Sequence, residues 1–294
     1  MTFVHRPVLL RAVVEGLALK DGAVVLDATV GLGGHAEQLL QAVGPQGRLI
    51  GIDRDREALE FARGRLSSFG DQVITFHGCF GELKEILDQA GFGAVDAALF
   101  DLGVSSMQLE KADRGFSFAR EGPLDMRMGS GEGTTAADVV NRTPQRDIED
   151  IIRSYGEERY AGRIARAMVK GRPFTTTTQL AETIRRAVPA GARHGRIDPA
   201  TRTFQALRIA VNQELEELPA GLSQAIGRLK PSGRIAVLAY HSLEDRIVKV
   251  CFREQARAGI LKLITRKPVR PSPEEAAENP RSRSACLRIA ERMP

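Results

Sequence analysis

The stretch Val24-Val25-Leu26-Asp27-Ala28-Thr29-Val30-Gly31-Leu32-Gly33-Gly34-His35 decides how the rest of the chain reads. A short apolar run ends in an aspartate and passes into a glycine-rich turn. Beyond it Ala36, Leu39, Leu40 and Val43 recur at helical spacing until Gly44-Pro45 stops the pattern. The unit is strand, turn, helix, and such a turn lets a ligand approach backbone N–H groups at a helix N-terminus. Working outward, 48–53 reads as a second buried strand and 57–66 as a helix with Leu59, Ala62 and Leu66 inward. A third strand at 73–76, a helix at 81–90 and a fourth strand at 95–101 follow. Alternation of this kind implies βαβ units and a mostly parallel sheet with helices on both faces.

The pattern then changes. Residues 106–200 show helical stretches at 148–155, 160–170 and 178–187, and no convincing strand. Gly129-Ser130-Gly131-Glu132-Gly133 reads as a flexible connector. The expected organisation is an α/β domain formed by 1–106 and 201–294, with an inserted helical domain at 107–200. The α/β pattern resumes with one long helix at 203–218, where Phe204, Leu207, Val211, Leu215 and Leu218 share a stripe. Strands are expected at 234–240, 261–266 and 286–291, with a loop rich in proline and charge at 267–284.

With 294 residues, 43% of them apolar and 27% charged, the chain has a globular composition and enough length for a core. No run of about 18 apolar residues argues for a membrane span. The Val8-Leu9-Leu10 run, broken by Arg11, is too short for a signal-peptide core. Cys79, Cys251 and Cys286 are odd in number and far apart, which suits a reduced, cytoplasmic chain. The net charge of +5 hides an asymmetry: 159–208 carries +9 and 253–294 carries +5, leaving −9 for the remainder. Two basic segments suit an anionic partner. Solvated helix faces explain the same counts, and charge alone does not choose between them.

Asp53 ends the second strand twenty residues beyond Gly33, where a carboxylate suits both hydroxyls of a ribose. Glycine turn and acid together point to a nucleoside cofactor. They do not choose between a dinucleotide and S-adenosylmethionine, because the dinucleotide fingerprint tolerates Ala36 at its third glycine position. Asp101 ends the fourth strand. Asp27, Asp53 and Asp101 thus share the carboxyl edge of the sheet, where ligands of open α/β sheets sit and where an unpartnered acid is costly. An aspartate there can accept the N–H of an exocyclic amine and turn the nitrogen lone pair toward an electrophilic methyl group. His241, at the end of the fifth strand, is a candidate base or polar anchor, with a hydrogen-bonded structural role the better expectation. His35 is expected to shape the cofactor pocket. His5, His77 and His194 have no useful partner spacing, and no Cys/His cluster suggests a metal. Cys79 has no neighbouring activating motif and reads as a small buried residue. Phe80 is either a stacking surface for adenine or ordinary core.

At this point the residues resemble a known family, the bacterial 16S rRNA cytosine-N4 methyltransferases that use S-adenosylmethionine. The matching stretches begin with His5-Arg6-Pro7-Val8-Leu9-Leu10, the glycine loop 27–35 and Gly51-Ile52-Asp53-Arg54-Asp55. They continue with Asp101-Leu102-Gly103-Val104-Ser105-Ser106-Met107-Gln108-Leu109, Arg114-Gly115-Phe116-Ser117-Phe118, Pro123-Leu124-Asp125-Met126-Arg127-Met128 and Tyr155-Gly156-Glu157-Glu158. Residues 199–208, His241-Ser242-Leu243-Glu244-Asp245-Arg246 and Pro280-Arg281-Ser282-Arg283-Ser284 complete an ordered set over nearly the whole chain. The resemblance implies a Rossmann-like, seven-stranded class I methyltransferase sheet with an inserted all-helical domain. It implies cofactor contacts at Gly33, Gly34, His35, Asp53, Phe80, Asp101 and Gln108, with Asp101 also catalytic. It implies a target cytosine of small-subunit RNA near the decoding centre, modified in an assembled subunit. The inserted domain becomes the candidate RNA-recognition element, and His241, Arg202, Arg208, Arg281 and Arg283 are the candidate substrate contacts. The chain departs from the family pattern at Ala12, Asp198, Tyr240 and Cys286. It also lacks the aromatic residue that many amino-methyltransferases carry after the fourth-strand aspartate. Two other classes remain open on residues alone: a nicotinamide oxidoreductase, and a non-catalytic RNA-binding assembly factor.

Overall fold

The strands are β1 (Val24–Asp27), β2 (Arg48–Asp53), β3 (Val73–His77), β4 (Val95–Asp101), β5 (Leu229–Ala239), β6 (Leu261–Leu263) and β7 (Cys286–Arg292). They form one sheet in the order β3-β2-β1-β4-β5-β7-β6. The first five pair in parallel, and β7 runs antiparallel to both β5 and β6. This computed structural model describes residues 6–129, 131, 133–193, 195 and 197–294. His5, Ser130, Glu132 and His194 lie outside the described residues.

The helices are α1 (Leu10–Leu17), α2 (Gly34–Val43), α3 (Arg56–Arg65), α4 (Leu83–Gln89), α5 (Ser106–Glu110), α6 (Ala136–Arg142), α7 (Gln145–Gly156), α8 (Ala161–Lys170), α9 (Thr177–Ala187), α10 (Ala200–Asn212), α11 (Glu214–Arg228), α12 (Ser242–Arg257) and α13 (Pro273–Glu278). The chain divides into two compact units, one of 1–105 with 215–294 and one of 106–214.

In the first unit the sheet is buried on both faces, as parallel strands joined by helical crossovers require. Alternation along each strand divides the core. Leu26, Ile50, Ile52, Ala98 and Phe100 point to one face with Leu83, Leu87, Leu222 and Val248. Val25, Leu49, Ala97 and Leu99 point to the other with Val13, Leu39, Leu59 and Ala62. These central strand residues are fully buried, so a one-residue slip of any strand would move its apolar set to the wrong face.

In the second unit, α7, α8, α9 and α10 bury Ile148, Ile152, Ile164, Met168, Leu180, Ile184, Phe204 and Leu207. Asn212 braces it from the end of α10. Its Nδ2 donates to the Met126 and Arg208 carbonyls (both 2.8 Å), and its Oδ1 accepts from the Met128 N–H at 2.7 Å.

Several expectations need correction. The single helix at 203–218 is two helices, broken at Gln213, whose φ of 51° is left-handed. The apolar stripe stays in phase across the break, so periodicity could not reveal it. Leu218, Leu222 and Ile226 of α11 belong to the sheet core, whereas α10 belongs to the helical unit. The unit boundaries therefore fall at 105/106 and 214/215, not at 106/107 and 200/201. The fifth strand starts at Leu229, five residues earlier than expected. Pro231-Ser232-Gly233 forms an irregularity within β5, with Ser232 at φ 63° and a register shift between Val95 and Ala97. Helices α1, α6 and α12 were not foreseen, and the 267–284 loop contains α13 and a short 3₁₀ turn, Pro280–Ser284.

Candidate active site

The glycine loop does what its sequence suggests. Gly31 (φ 51°) and Gly33 (φ 76°) are left-handed, and Gly33 caps α2. A side chain at either would be strained by the backbone alone. The Gly31 N–H donates to Asp53 Oδ2 at 2.8 Å, so the loop is tied to the end of β2. Asp53 Oδ1 accepts from the Asp55 N–H at 2.9 Å, and Asp55 in turn caps α3.

Three strand-end acids gather on this rim. Asp27 is 1% exposed. Burial pushes its carboxyl up to about 7; His35 and the Thr29 N–H oppose the rise, and the charges of Asp101 and Asp53 add to it. Burial likewise raises Asp53 to about 6, against the Asp55 and Gly31 amides. Asp101, at the end of β4, is held on three sides. Its N–H donates to Thr29 Oγ1 at 2.6 Å, Tyr240 Oη donates to Oδ1 at 2.7 Å, and His35 Nδ1 lies 3.2 Å from Oδ2. The Asp101 side chain is 19% exposed, so it still meets solvent.

His35 is almost fully buried, and its Nε2 lies 3.0 Å from the Val8 carbonyl. A carbonyl only accepts, so Nε2 carries a hydrogen. Nδ1 faces a carboxylate, which also accepts when ionised. A second proton therefore belongs on Nδ1. Burial alone lowers the His35 pKa, but the hydrogen bond and charge of Asp101, with the charge of Asp27, raise it overall. The Tyr240 hydroxyl is pushed well above its ordinary pKa by burial and by the negative charge of Asp101, so it stays protonated and donates.

His241 caps α12. Its Nδ1 accepts from the Glu244 N–H at 3.3 Å and its Nε2 lies 3.1 Å from Glu244 Oε1. Glu244 Oε2 reaches back to the Tyr240 N–H at 2.8 Å. The side chain of His241 thus works on the strand-to-helix turn that carries Tyr240. Phe80 stacks edge-on against Phe100 (5.8 Å between centroids) and is half-buried, so one face serves the core. Cys79 is half-buried rather than buried, and it is not activated: burial and the charges of Glu217 and Glu82 push its thiol up. Gln108 is buried in α5 of the helical unit. Arg208 there is spanned by Glu214 in two hydrogen bonds of 2.8 and 2.7 Å, whereas Arg202 is half-exposed and lies 3.8 Å from Glu158. Arg283 is exposed and donates to the Ala276 carbonyl; Arg281 lies beside it in the 3₁₀ turn after α13. Among the described residues no group of His, Cys, Asp and Glu side chains is placed to hold a metal ion.

The structure thus joins Gly33, Gly34, His35, Asp53 and Asp101 along one rim and adds residues that sequence reading gave no role. Thr29 and Tyr240 both hold Asp101. Each has a positional signal: Thr29 lies two residues past a strand-end acid, and Tyr240 follows the last residue of β5.

The sequence matches the MraW methylase family over residues 2–293. The ribosomal RNA small subunit methyltransferase H of Syntrophotalea carbinolica is 50% identical, covering 99% of this chain and 98% of that protein. The protein of the same name from Geobacter sulfurreducens is 49% identical over the full length of both. Among solved structures, an rRNA methylase from Streptococcus thermophilus covers 100% of both chains at 13% identity, with a TM-score of 0.47. Taken with the seven-stranded sheet and its acidic rim, the full-length match settles the family: the chain belongs to the MraW methylases.

Proposed function

We propose that this protein is an S-adenosylmethionine-dependent methyltransferase that methylates N4 of a cytosine in 16S rRNA near the decoding centre of the small ribosomal subunit, in the cytoplasm. The observation that carries the reading is Asp101, an acceptor fixed at a strand end by Tyr240 and His35 yet still open to solvent. The names of the relatives and the two basic segments support the RNA substrate. No helix among the described residues is long and apolar enough to cross a membrane.

The residues fit the methyl donor. Gly31 and Gly33 open the backbone, and Asp53 offers carboxylate lone pairs beyond those used by Gly31 and Asp55. Phe80 is only partly buried. Asp27, buried among acids with a raised pKa, is an environment that favours positive charge nearby. When bound, the donor supplies an electrophilic methyl on a positive sulfonium.

Cytosine N4 is a poor nucleophile because its lone pair is delocalised into the ring. Asp101 answers this by accepting an N4–H bond, which localises the lone pair and turns it outward. Methylation leaves one N4 proton in excess, and the carboxylate is placed to take it and release it to solvent. Tyr240 and His35 donate to Asp101 throughout, so its oxygens keep one orientation while the base enters. The base must leave any stack to reach this carboxylate. A cysteine adduct has no part, since attack by N4 itself forms the new bond.

The test is transfer of labelled methyl from S-adenosylmethionine to isolated small subunits, followed by nucleoside analysis. N4-methylcytidine is expected; its absence with a binding-competent protein defeats the reading. Thermal shift by S-adenosylmethionine but not NAD separates it from an oxidoreductase. RNA binding without transfer would mark an assembly factor.

A further inference from the structure

Beside the acidic rim, the first unit holds a second feature to which the mechanism above gives no role. A cavity of about 470 Å³ is lined by Tyr240, His241, Ser242, Asp245, Arg246, Lys249, Arg270, Ser284 and Cys286. Its size falls in the range that admits a nucleotide-sized ligand. Its charge is positive and comes from separate segments: Arg246 and Lys249 lie three residues apart on α12, and Arg270 comes from the loop before α13.

The one acid in the wall does not cancel these cations. Asp245 accepts from Arg288 Nε at 2.6 Å and Nη2 at 3.0 Å, and from the Cys286 thiol at 3.2 Å. Arg288 is 8% exposed and committed to that pair. Lys249 and Arg270 make no ion pair among the described residues, and Arg270 acts on Asp245 only through its charge. The Ser242 and Ser284 side chains add hydroxyls to the same wall.

We infer that this cavity is a phosphate subsite for the RNA backbone next to the target base, with Lys249 and Arg270 as its free cations. Tyr240 makes the link. Tyr240 lines the cavity and its hydroxyl holds Asp101, so a phosphate here sits one residue away from the proposed acceptor carboxylate. A base placed on Asp101 and the phosphate of the same strand in the cavity then share one wall. The inference rests on the methyltransferase reading for the identity of the strand, not for the anion site itself.

The test uses the full chain and the variants Lys249→Gln, Arg270→Gln and their double. The double variant should raise KM for small subunits about tenfold, with kcat and S-adenosylmethionine affinity within twofold of wild type. The slope of log KM against log salt should fall by about 0.7 for each phosphate that a variant no longer neutralises. Unchanged KM and salt slope in an active enzyme overturn the inference. Anisotropy of a labelled single-stranded RNA oligonucleotide reads the site without activity, so a wild type that binds it through these cations but transfers no methyl defeats only the methyltransferase reading. Variants that weaken inorganic phosphate binding but not the oligonucleotide would assign the site to a free anion and overturn the RNA assignment. Displacement of the oligonucleotide by polyglutamate at equal charge would do the same in favour of an acidic protein.

Discussion

The buried acids of the rim and two carboxylates of the helical unit are treated in opposite ways. In the α/β unit, Asp27 and Asp53 are pushed up by burial to about 7 and about 6. In the helical unit, Asp125 is held low: burial acts to raise it, but Arg127 outweighs burial through three hydrogen bonds, one from its backbone N–H, and its charge. Asp138, in the capping box of α6, is held low by Thr135. The rim keeps Asp27 and Asp53 where they are uncomfortable, whereas Asp125 and Asp138 each have a partner. Groups kept at an energetic disadvantage in a cleft mark function more often than packing. The contrast fits the proposed reading, in which the acidic rim carries the chemistry and the helical unit presents basic side chains.

The largest expected effect tests that reading directly. Asp101→Ala should lower methyl transfer by at least about 10³-fold, equivalent to about 4 kcal/mol in the barrier. Folding should survive at some cost in stability, because Asp101 itself is partly exposed but Tyr240 and His35 each lose a partner. Single-turnover assays with small subunits, beside circular dichroism, check both halves. Near-wild-type transfer would remove Asp101 from the mechanism and with it the reason for the crowded rim.

The next test sharpens the contrast through pH. The folded-state pKa of Asp27 lies above the ordinary 3.8, so its contribution to stability is fully present below about pH 4 and is lost as pH rises through about 7. Asp53 has the same sign and loses its contribution by about pH 6. Asp125 has the opposite sign: its pKa is lowered, so its contribution is present above pH 4 and lost on acidification. Asp27→Asn should therefore flatten the fall of stability between pH 4 and 7, gaining up to about 4 kcal/mol at pH 8 in the apo protein. Urea titrations at several pH values measure it. Cofactor affinity should move the other way with pH and weaken below about 6, as Asp53 takes up a proton.

How much of this was legible follows the same division. The acidic rim was readable because each acid ends an apolar run, and strand ends in a parallel sheet share an edge. The tie between Gly31 and Asp53 rewards reading them as one feature. The interior of the helical unit was less readable. Asn212 is a buried polar residue in an otherwise helical pattern, and nothing in its neighbours announces that it serves Met126 and Met128, more than eighty residues earlier. The break at Gln213 carries no glycine or proline. The role of Tyr240 stayed hidden for a related reason: its departure from the family pattern was visible, but a hydrogen bond across 139 residues is a tertiary fact.

Asn212→Ala brings the comparison to the helical side. It leaves the Met128 N–H and the Met126 carbonyl buried without partners, since both residues are below 9% exposed. The expected loss is about 2–3 kcal/mol. Hydrogen exchange should show faster opening in α7 and α10 while β1, β2 and β4 keep their protection. Equal loss of protection in the sheet would mean the units unfold as one, and the division would hold for packing alone.

The smallest effect concerns a buried side-chain hydroxyl of the helical unit, Thr203 Oγ1 of α10, that has no hydrogen-bond partner among the described residues. An unsatisfied hydroxyl costs its desolvation, and replacing it by a methyl of similar shape removes that cost. Thr203→Val should stabilise the protein by about 1 kcal/mol, read as a higher urea midpoint at unchanged slope. A destabilised variant would show that the hydroxyl has a partner in solution. A stabilised variant with impaired transfer would place Thr203 beside Asp27 and Asp53, as a group held at a disadvantage for what it does.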